Sequence, residues 1–580
     1  MFDKILYYFF NANYEKALQL SEAHLNDSPK FALEYASICA FKLQEFEKAL
    51  YYANELFRLY PSSFFGLLLA KIHIANHNIE EAIGLLKELI QRNDELNNEF
   101  ILELAFVYKN TFRLDEACEL FEELIKIDYY NLDLWKEYAQ IYFQSDFKKA
   151  LLMHDRVCQI AHELIKNIND GKVKTNKKAK SNTLEDKLLQ KTKENVTIMN
   201  IENFLNNQIL PQKAFLLFKL YDLENSIKLF TSLIPFNENN AQFWQNFAKA
   251  LELSCNYQGA YEAYHKALNI HHHATYAFDC AYLLMRIGKF EEGVKMYESR
   301  LFYANNETFS SYHYNKTVEA FNKEGTKAFK NKTVLIFCEQ GFGDTIMYAR
   351  CLEKICDIAD KVLFAPQSAL YRLFKNYTKS NDDKFKNMKV LKDFPPKFDF
   401  AMPICSLPLF CDIKLKDIPL LKTPIKELAK IKNKRKKIGI FWFTPSAVNT
   451  DLIRNFDLDF ILSMVEKLDC DIVSFQIQGE FTLPDFIENR ACKLKDWQDT
   501  FENLKDIDYM ISIDSAIAHL TLALDIPTSV LLAPRFDWRW GKFEAPKSYF
   551  WPKANLIVCK DLKQAKAKFT RHFKKCVSDG

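Results

Sequence analysis

One pattern, a pair of mostly charged residues and a small one opening an apolar run at helical spacing, recurs through the first three hundred positions. It reads YEKALQLSEAHL (14–25), FEKALYYANELF (46–57), IEEAIGLLKELI (79–90), LDEACELFEELI (114–125), FKKALLMHDRVC (147–158), LENSIKLFTSLI (223–234), YQGAYEAYHKAL (257–268) and FEEGVKMYESRL (290–301). Its small residue falls at Ala17, Ala49, Ala82, Ala117, Ala150, Ser226, Ala260 and Gly293, and most spacings are 32 to 35 residues. A unit of that length is a helix–turn–helix. It cannot bury its own apolar face, so neighbours must stack into a helical array. The small position is where paired helices approach closely.

The copy beginning near Asn240 is the fullest, with Trp244, Phe247, Ala248, Leu251, Tyr257, Ala260, Tyr264 and Ala267 in large and small positions, and Trp135, Ala139 and Tyr142 echo it. The pattern resembles the tetratricopeptide repeat (TPR), whose groove holds peptides or protein partners. Glycine scarcity agrees: 13 in 580 residues favours helices on short connections needing few left-handed residues. The register breaks between Ala150 and Ser226, where the Lys- and Asn-rich residues 166–194 read as a solvated linker before they read as a nucleic-acid arm. His271, His272 and His273 close a repeat without a spaced metal-ligand partner and read as turn residues.

Past residue 330 the period changes. KTVLIFC (332–338), KVLFAP (361–366), MKVL (388–391) and FDFAMPI (398–404) predict strands between helical stretches, and the polar run KIKNKRKK (430–437) reads as a linker. IGIFWF (438–443), DIVSFQI (471–477), DYMISID (508–514) and TSVLLAP (528–534) predict a second set. Strands alternating with helices imply parallel sheets, and two Rossmann-like halves in tandem imply a ligand cleft at the carboxyl ends of their strands. The expected division is a solenoid over 1–165 and 201–303 around a linker at 166–200, a connector over 304–330, and α/β halves over 331–428 and 429–580.

Three loops could carry chemistry. Gln340, Gly341, Gly343 and Asp344 follow a strand and open a helix, and Asp344 reads as an N-cap before it reads as a general base. Gly341 and Gly343 are the only two glycines in the chain separated by one residue. Asp514, Ser515, Ala516 and His519 form a second strand-to-helix junction, whose free amides at Ser515 and Ala516 suit a phosphate, while His519 also reads as a core histidine. The third loop, 444–456, holds Ser446, Asn449, Asp451 and Arg454; a cation there could neutralise a leaving phosphate.

The segments KTVLIFCEQGFGDTIMYAR and DYMISIDSAIAHLTLALDIPTSVLLAPRFDWRW, with the lead-in Tyr297-Glu298-Ser299-Arg300, resemble bacterial TPR-linked glycosyltransferases of the family 9, heptosyltransferase-like type. The resemblance implies a TPR solenoid followed by a GT-B α/β domain of two Rossmann-like halves. It implies metal-independent, inverting transfer from a nucleotide-sugar co-substrate, with no cofactor, to a protein (flagellin or another surface protein) or glycan acceptor. In that scheme Asp344 is the catalytic base, while Asp514, His519 and the amides of Ser515 and Ala516 meet the donor. Arg454 stabilises the departing nucleotide, and Asp537, Trp538 and Arg539 match the family's D-W-R-W stretch. The chain departs from the family at Trp442-Phe443-Thr444-Pro445, without the family's small Ala-Gly pair, and at Asn449-Thr450-Asp451. The alternative expectation is a TPR scaffold or chaperone with a degenerate transferase domain; a third is lipopolysaccharide core assembly.

Balanced charge, 78 basic against 75 acidic residues, gives no reason to expect nucleic acid. No apolar run is long enough for a transmembrane segment. Fourteen scattered cysteines without a C-x-x-C pair argue against a zinc ribbon or disulfide scaffold, and the expectation is a cytoplasmic protein with reduced thiols.

Overall fold

The computed structural model describes residues 2–93, 95–143, 145–170, 172, 197–302, 311–378, 383–393, 395, 397–421, 425, 431, 435–445, 454–477, 479 and 481–578. Most of the Lys- and Asn-rich stretch, and Ser446, Asn449, Thr450 and Asp451, lie outside the described residues. The chain forms two compact units, Met1–Glu238 and Asn239–Gly580. It is a helical-repeat protein with an α/β part built on parallel sheets.

The first unit consists of helix pairs, among them Pro29–Lys42 with Phe46–Leu59, Ser63–Ala75 with Ile79–Arg92, and Asn97–Asn110 with Leu114–Ile127. Ala17, Ala49, Ala82, Ala117, Ala150 and Ser226 are all fully buried, so each second helix meets its partner through a residue without bulk. Ser226 keeps its hydroxyl satisfied by donating to the Ala214 carbonyl at 2.7 Å.

The turn within each pair corrects the glycine argument. Ala12, Gln44, His77, Phe112 and Tyr221 all have left-handed backbone, with φ between 56° and 63°. The following amide then reaches back to the helix before the turn, as in Asn78 N–H to His73 O and Arg113 N–H to Tyr108 O, both 2.9 Å. These turns do need left-handed residues; glycine is scarce because other residues take that conformation, at about 1 kcal/mol each.

The linker expectation also shifts. Helix Phe147–Asn169 runs through residues 166–169, because Ile168 is buried in one cluster with Val157, Ile201, Leu205 and Ile209. A single isoleucine supplies the anchor that the polar composition hid.

The second unit opens with two further helix pairs, Ala241–Leu253 with Tyr257–Ile270 and Ala274–Arg286 with Phe290–Tyr297. The repeat helices thus continue to Tyr297, inside the expected 201–303, but these last pairs belong to the compact unit that starts at Asn239. The physical reason is a shared core: Met285, Phe290, Val294 and Tyr297 belong to the same buried cluster as Trp538, Trp540 and Phe550. Arg286 adds polar ties, donating to Glu252 at 2.9 Å, to the Gly541 carbonyl at 3.0 Å and to the Phe536 carbonyl at 3.1 Å. The expected connector is no passive link either, since helix Ser311–Glu324 packs on a strand edge through Thr317, whose hydroxyl donates to the Ala401 carbonyl at 2.9 Å.

Two all-parallel sheets follow. The first has order β3-β2-β1-β4, with β1 Thr333–Phe337, β2 Lys361–Ala365, β3 Met388–Val390 and β4 Phe400–Pro403. The second has order β10-β9-β8-β5-β6-β7, with β5 Lys436–Phe441, β6 Cys470–Ser474, β7 Ile487–Asn489, β8 Tyr509–Ile513, β9 Thr528–Leu532 and β10 Asn555–Val558. Lys436 and Lys437, expected in a linker, begin β5 because Asp508 and Asp506 receive their ammonium groups at 3.3 and 2.8 Å. In both sheets the order reverses beside the first strand, β1 or β5, which opens a crevice at the strands' carboxyl ends.

The shared core makes a test of boundaries direct. A chain of residues 239–580 should unfold as one cooperative transition on heating, whereas a chain starting at residue 304 strips the cover from Trp538 and Phe550 and should aggregate. A soluble, cooperatively melting 304–580 fragment would refute the shared core.

Candidate functional site

A cavity of about 840 Å³ lies in the second unit. Of the site residues singled out in the sequence, Ser446, Asn449 and Asp451 lie outside the described residues and Trp538 does not line it, whereas Gln340, Gly341, Gly343, Asp344, Arg454, Asp514, Ser515, Ala516, His519, Asp537 and Arg539 all do. Each arrives from the carboxyl end of a strand. Gln340, Gly341, Gly343 and Asp344 follow β1, Arg454 lies on the loop after β5, and Asp514, Ser515, Ala516 and His519 follow β8. Arg539 follows β9. The lining not foreseen is mixed: Phe441, Phe475, Ile477, Leu494 and Trp497 are apolar, while Gln367, Lys495, Asp496 and Thr500 are polar or charged. Phe342 meets Trp497 edge-on at 5.8 Å. The cavity thus offers both charged and apolar lining.

The β1 loop is held by buried charge. Arg300 grips Glu339 through two hydrogen bonds of 2.9 and 2.6 Å, and also donates to Glu298 at 2.6 Å and Ser406 at 2.7 Å. Gln340 is fixed by its neighbours, its carbonyl accepting from the Gln367 amide at 2.7 Å. Asp344 departs from the N-cap expectation. Gly341 occupies the cap of helix Phe342–Tyr348, and Asp344 sits inside the first turn with Oδ1 paired to Nη2 of Arg539. An arginine of fixed charge outcompetes a capping role for that carboxylate. Oδ2 accepts no hydrogen bond among the described residues.

Arg539 is itself buried and held on its other side by Asp537, which accepts from Nη1 at 2.7 Å and from the Arg539 amide at 3.0 Å. Burial alone would raise the Asp537 carboxyl, but the charge and amide of Arg539 outweigh it and keep it below the usual carboxylate range. Asp514 is the contrast. Its burial pushes the carboxyl up, opposed by Arg454, whose Nε lies 3.9 Å from Oδ2. Arg454 Nε has no hydrogen-bond partner among the described residues. Ser515 caps helix Ala516–Ala523 from extended backbone, so the first amides of that helix lack intrahelical acceptors beside the cavity.

His519 is both a packed residue and a cavity residue. Its ring stacks on Trp540 at 5.3 Å between centroids, and its Nδ1 accepts from the Trp551 indole at 2.8 Å. Burial, then the positive charge of Arg539, lowers its pKa to about 3. Tyr282, from the last repeat pair, also reaches the cavity wall. Neither Tyr282 nor Trp551 carries a local signal: an aromatic in a repeat helix reads as repeat core, and Trp551 lies 32 residues from its partner.

No family model matches the chain, and no curated protein matches it. Among solved structures, the chain is similar to a tetratricopeptide repeat protein from Parabacteroides merdae, at 11% identity over 48% of this chain and 95% of that one, with a TM-score of 0.34. It is also similar to YrrB, described as a TPR protein with an unusual peptide-binding site, at 18% identity over 29% of this chain and 89% of that one, TM-score 0.24. A third is the C-terminal part of a TPR repeat-containing protein from Cytophaga hutchinsonii, at 11% identity over 54% and 97%, TM-score 0.27. Among the described residues no helix is long and apolar enough to cross a membrane.

Two stability outcomes follow from these charges. Arg539→Gln leaves two carboxylates without their cation and should cost about 3–5 kcal/mol, read as a lower denaturant midpoint. His519 is held neutral at a pKa of about 3 against roughly 6.5 when unfolded, so the unfolded chain binds the extra proton between those values. Its contribution is therefore whole above about pH 6.5 and falls away as the pH drops toward 3. His519→Gln should flatten the loss of stability between pH 7 and 5, measured by denaturant titration at each pH, roughly in proportion to that single proton.

Proposed function

We propose that the second unit is a glycosyltransferase of the metal-independent, GT-B type, which moves a sugar from a nucleotide-sugar donor to a protein or glycan acceptor recruited by the helical repeats. The observation that carries this reading is the convergence of Asp344, Arg454, Asp514, His519 and Arg539 on one cavity at the carboxyl ends of the strands of two parallel sheets.

The cavity's charged and apolar lining suits the two parts of such a donor. The apolar walls at Phe441, Phe475 and Trp497 offer surface for a base, and the cations Arg454 and Arg539, with the amides after Asp514, offer charge for a diphosphate. Asp344 is the base in this reading. Its Oδ1 is committed to Arg539, so Oδ2 is the atom that takes the acceptor hydroxyl's proton as oxygen attacks the anomeric carbon. The bond to the nucleotide diphosphate breaks on the opposite face, and Arg454, whose guanidinium lies 3.9 Å from the Asp514 carboxylate, balances the charge that develops there. Tyr282 puts the last repeat pair in the cavity wall, which supports a link between repeats and cleft.

The test pairs binding with turnover. A panel of nucleotide sugars should raise the melting temperature selectively, and Asp344→Asn should keep that shift while transfer falls by about 10²–10⁴. No stabilisation by any nucleotide sugar, with unchanged cellular function in Asp344→Asn, would leave the scaffold reading in its place.

A further inference from the structure

We infer that Trp551 is a positioning residue of the cleft: its indole fixes His519 as the Nε2–H tautomer and thereby makes that ring a permanent hydrogen-bond donor to the ligand. An indole N–H can only donate, so the 2.8 Å contact makes Nδ1 of His519 the acceptor and leaves it without a proton. The uncharged ring then carries its proton on Nε2. Stacking on Trp540, with 18° between the planes, holds the ring against a flip that would exchange the two nitrogens.

The free edge of the ring faces the other sheet's loop. A Cβ placed on Gly343 would stand 3.0 Å from Cδ2 of His519 and 3.6 Å from Nε2. Glycine at 343 is thus the residue that leaves this edge room beside the helix carrying Asp344. Nε2 has no hydrogen-bond partner among the described residues, and the ring lines the cavity.

The surroundings keep the ring from charging. Arg539 and Arg454 oppose a second proton, Asp537 alone among the nearby groups favours it, and burial exceeds all three. Asp344, on the helix that holds Gly343, is paired with Arg539, and Asp514 faces Arg454. His519 is therefore a fixed donor and takes no part in moving protons. The acceptor it addresses, a phosphate or sugar oxygen, rests on the function proposed above; the tautomer does not.

Histidine-selective ¹⁵N labelling of the full chain tests this, with His519→Gln identifying one signal among the twelve histidines. The wild-type signal should show Nδ1 bare and Nε2 protonated, unchanged between about pH 5.5 and 8. Trp551→Phe keeps an aromatic ring but removes the donor, so both tautomers, or a titrating ring, should appear. Calorimetry with uridine and adenosine diphosphates should show whichever binds losing about tenfold in affinity and gaining a pH dependence in that variant. A protonated Nδ1 in the wild type overturns the inference without any variant, as does a Trp551→Phe spectrum identical to wild type. If neither diphosphate binds while the tautomer is as stated, the nucleotide reading falls and the positioning role stands.

Discussion

The α/β unit turns on a guanidinium buried between two carboxylates. Arg539 follows β9 and Asp344 follows β1, so their pairing joins loops that belong to different sheets. Desolvating three charges is costly, and the arrangement holds because Asp537 accepts from both the side chain and the backbone of Arg539. The same pairing aims Asp344. One oxygen is fixed by the cation and the other is presented to the cavity, which defines a direction for any group that binds there.

Two further arginines extend this logic to the edges of the unit. Arg300 locks the start of the Asp344 loop through Glu339. Arg286 locks the connection after β9 through carbonyls at residues 536 and 541. Both come from the last repeat pair or the turn after it. The repeat helices thus hold the two loops whose ends meet at the Asp344–Arg539 pair, and a site that looks like a cleft between sheets has a third, helical wall.

The repeat register was legible because a small residue at a fixed spacing has one physical meaning, close helix approach, and those residues are buried. The four strands of the first sheet and the four central strands of the second were legible as short apolar runs, whereas the edge strands β7 and β10 were not; the loops after the central strands were legible as candidates because topology sends them to one side. What escaped depends on distant partners. Whether Asp344 caps its helix or pairs with a cation is decided by Arg539, 195 residues away. The repeats after Asn239 look like any others in sequence, and only their packing on Trp538 and Trp540 assigns them to the α/β unit. Left-handed turns at Gln44 or Phe112 have no glycine to announce them.

The division at residue 238 gives the repeat array a fixed origin. The two pairs after it are bound to the cleft by core and charge, and Tyr282 carries them into the cavity wall. A substitution in these last repeat helices is therefore felt at the cleft, so two stretches that read alike as repeats in sequence answer to different neighbours.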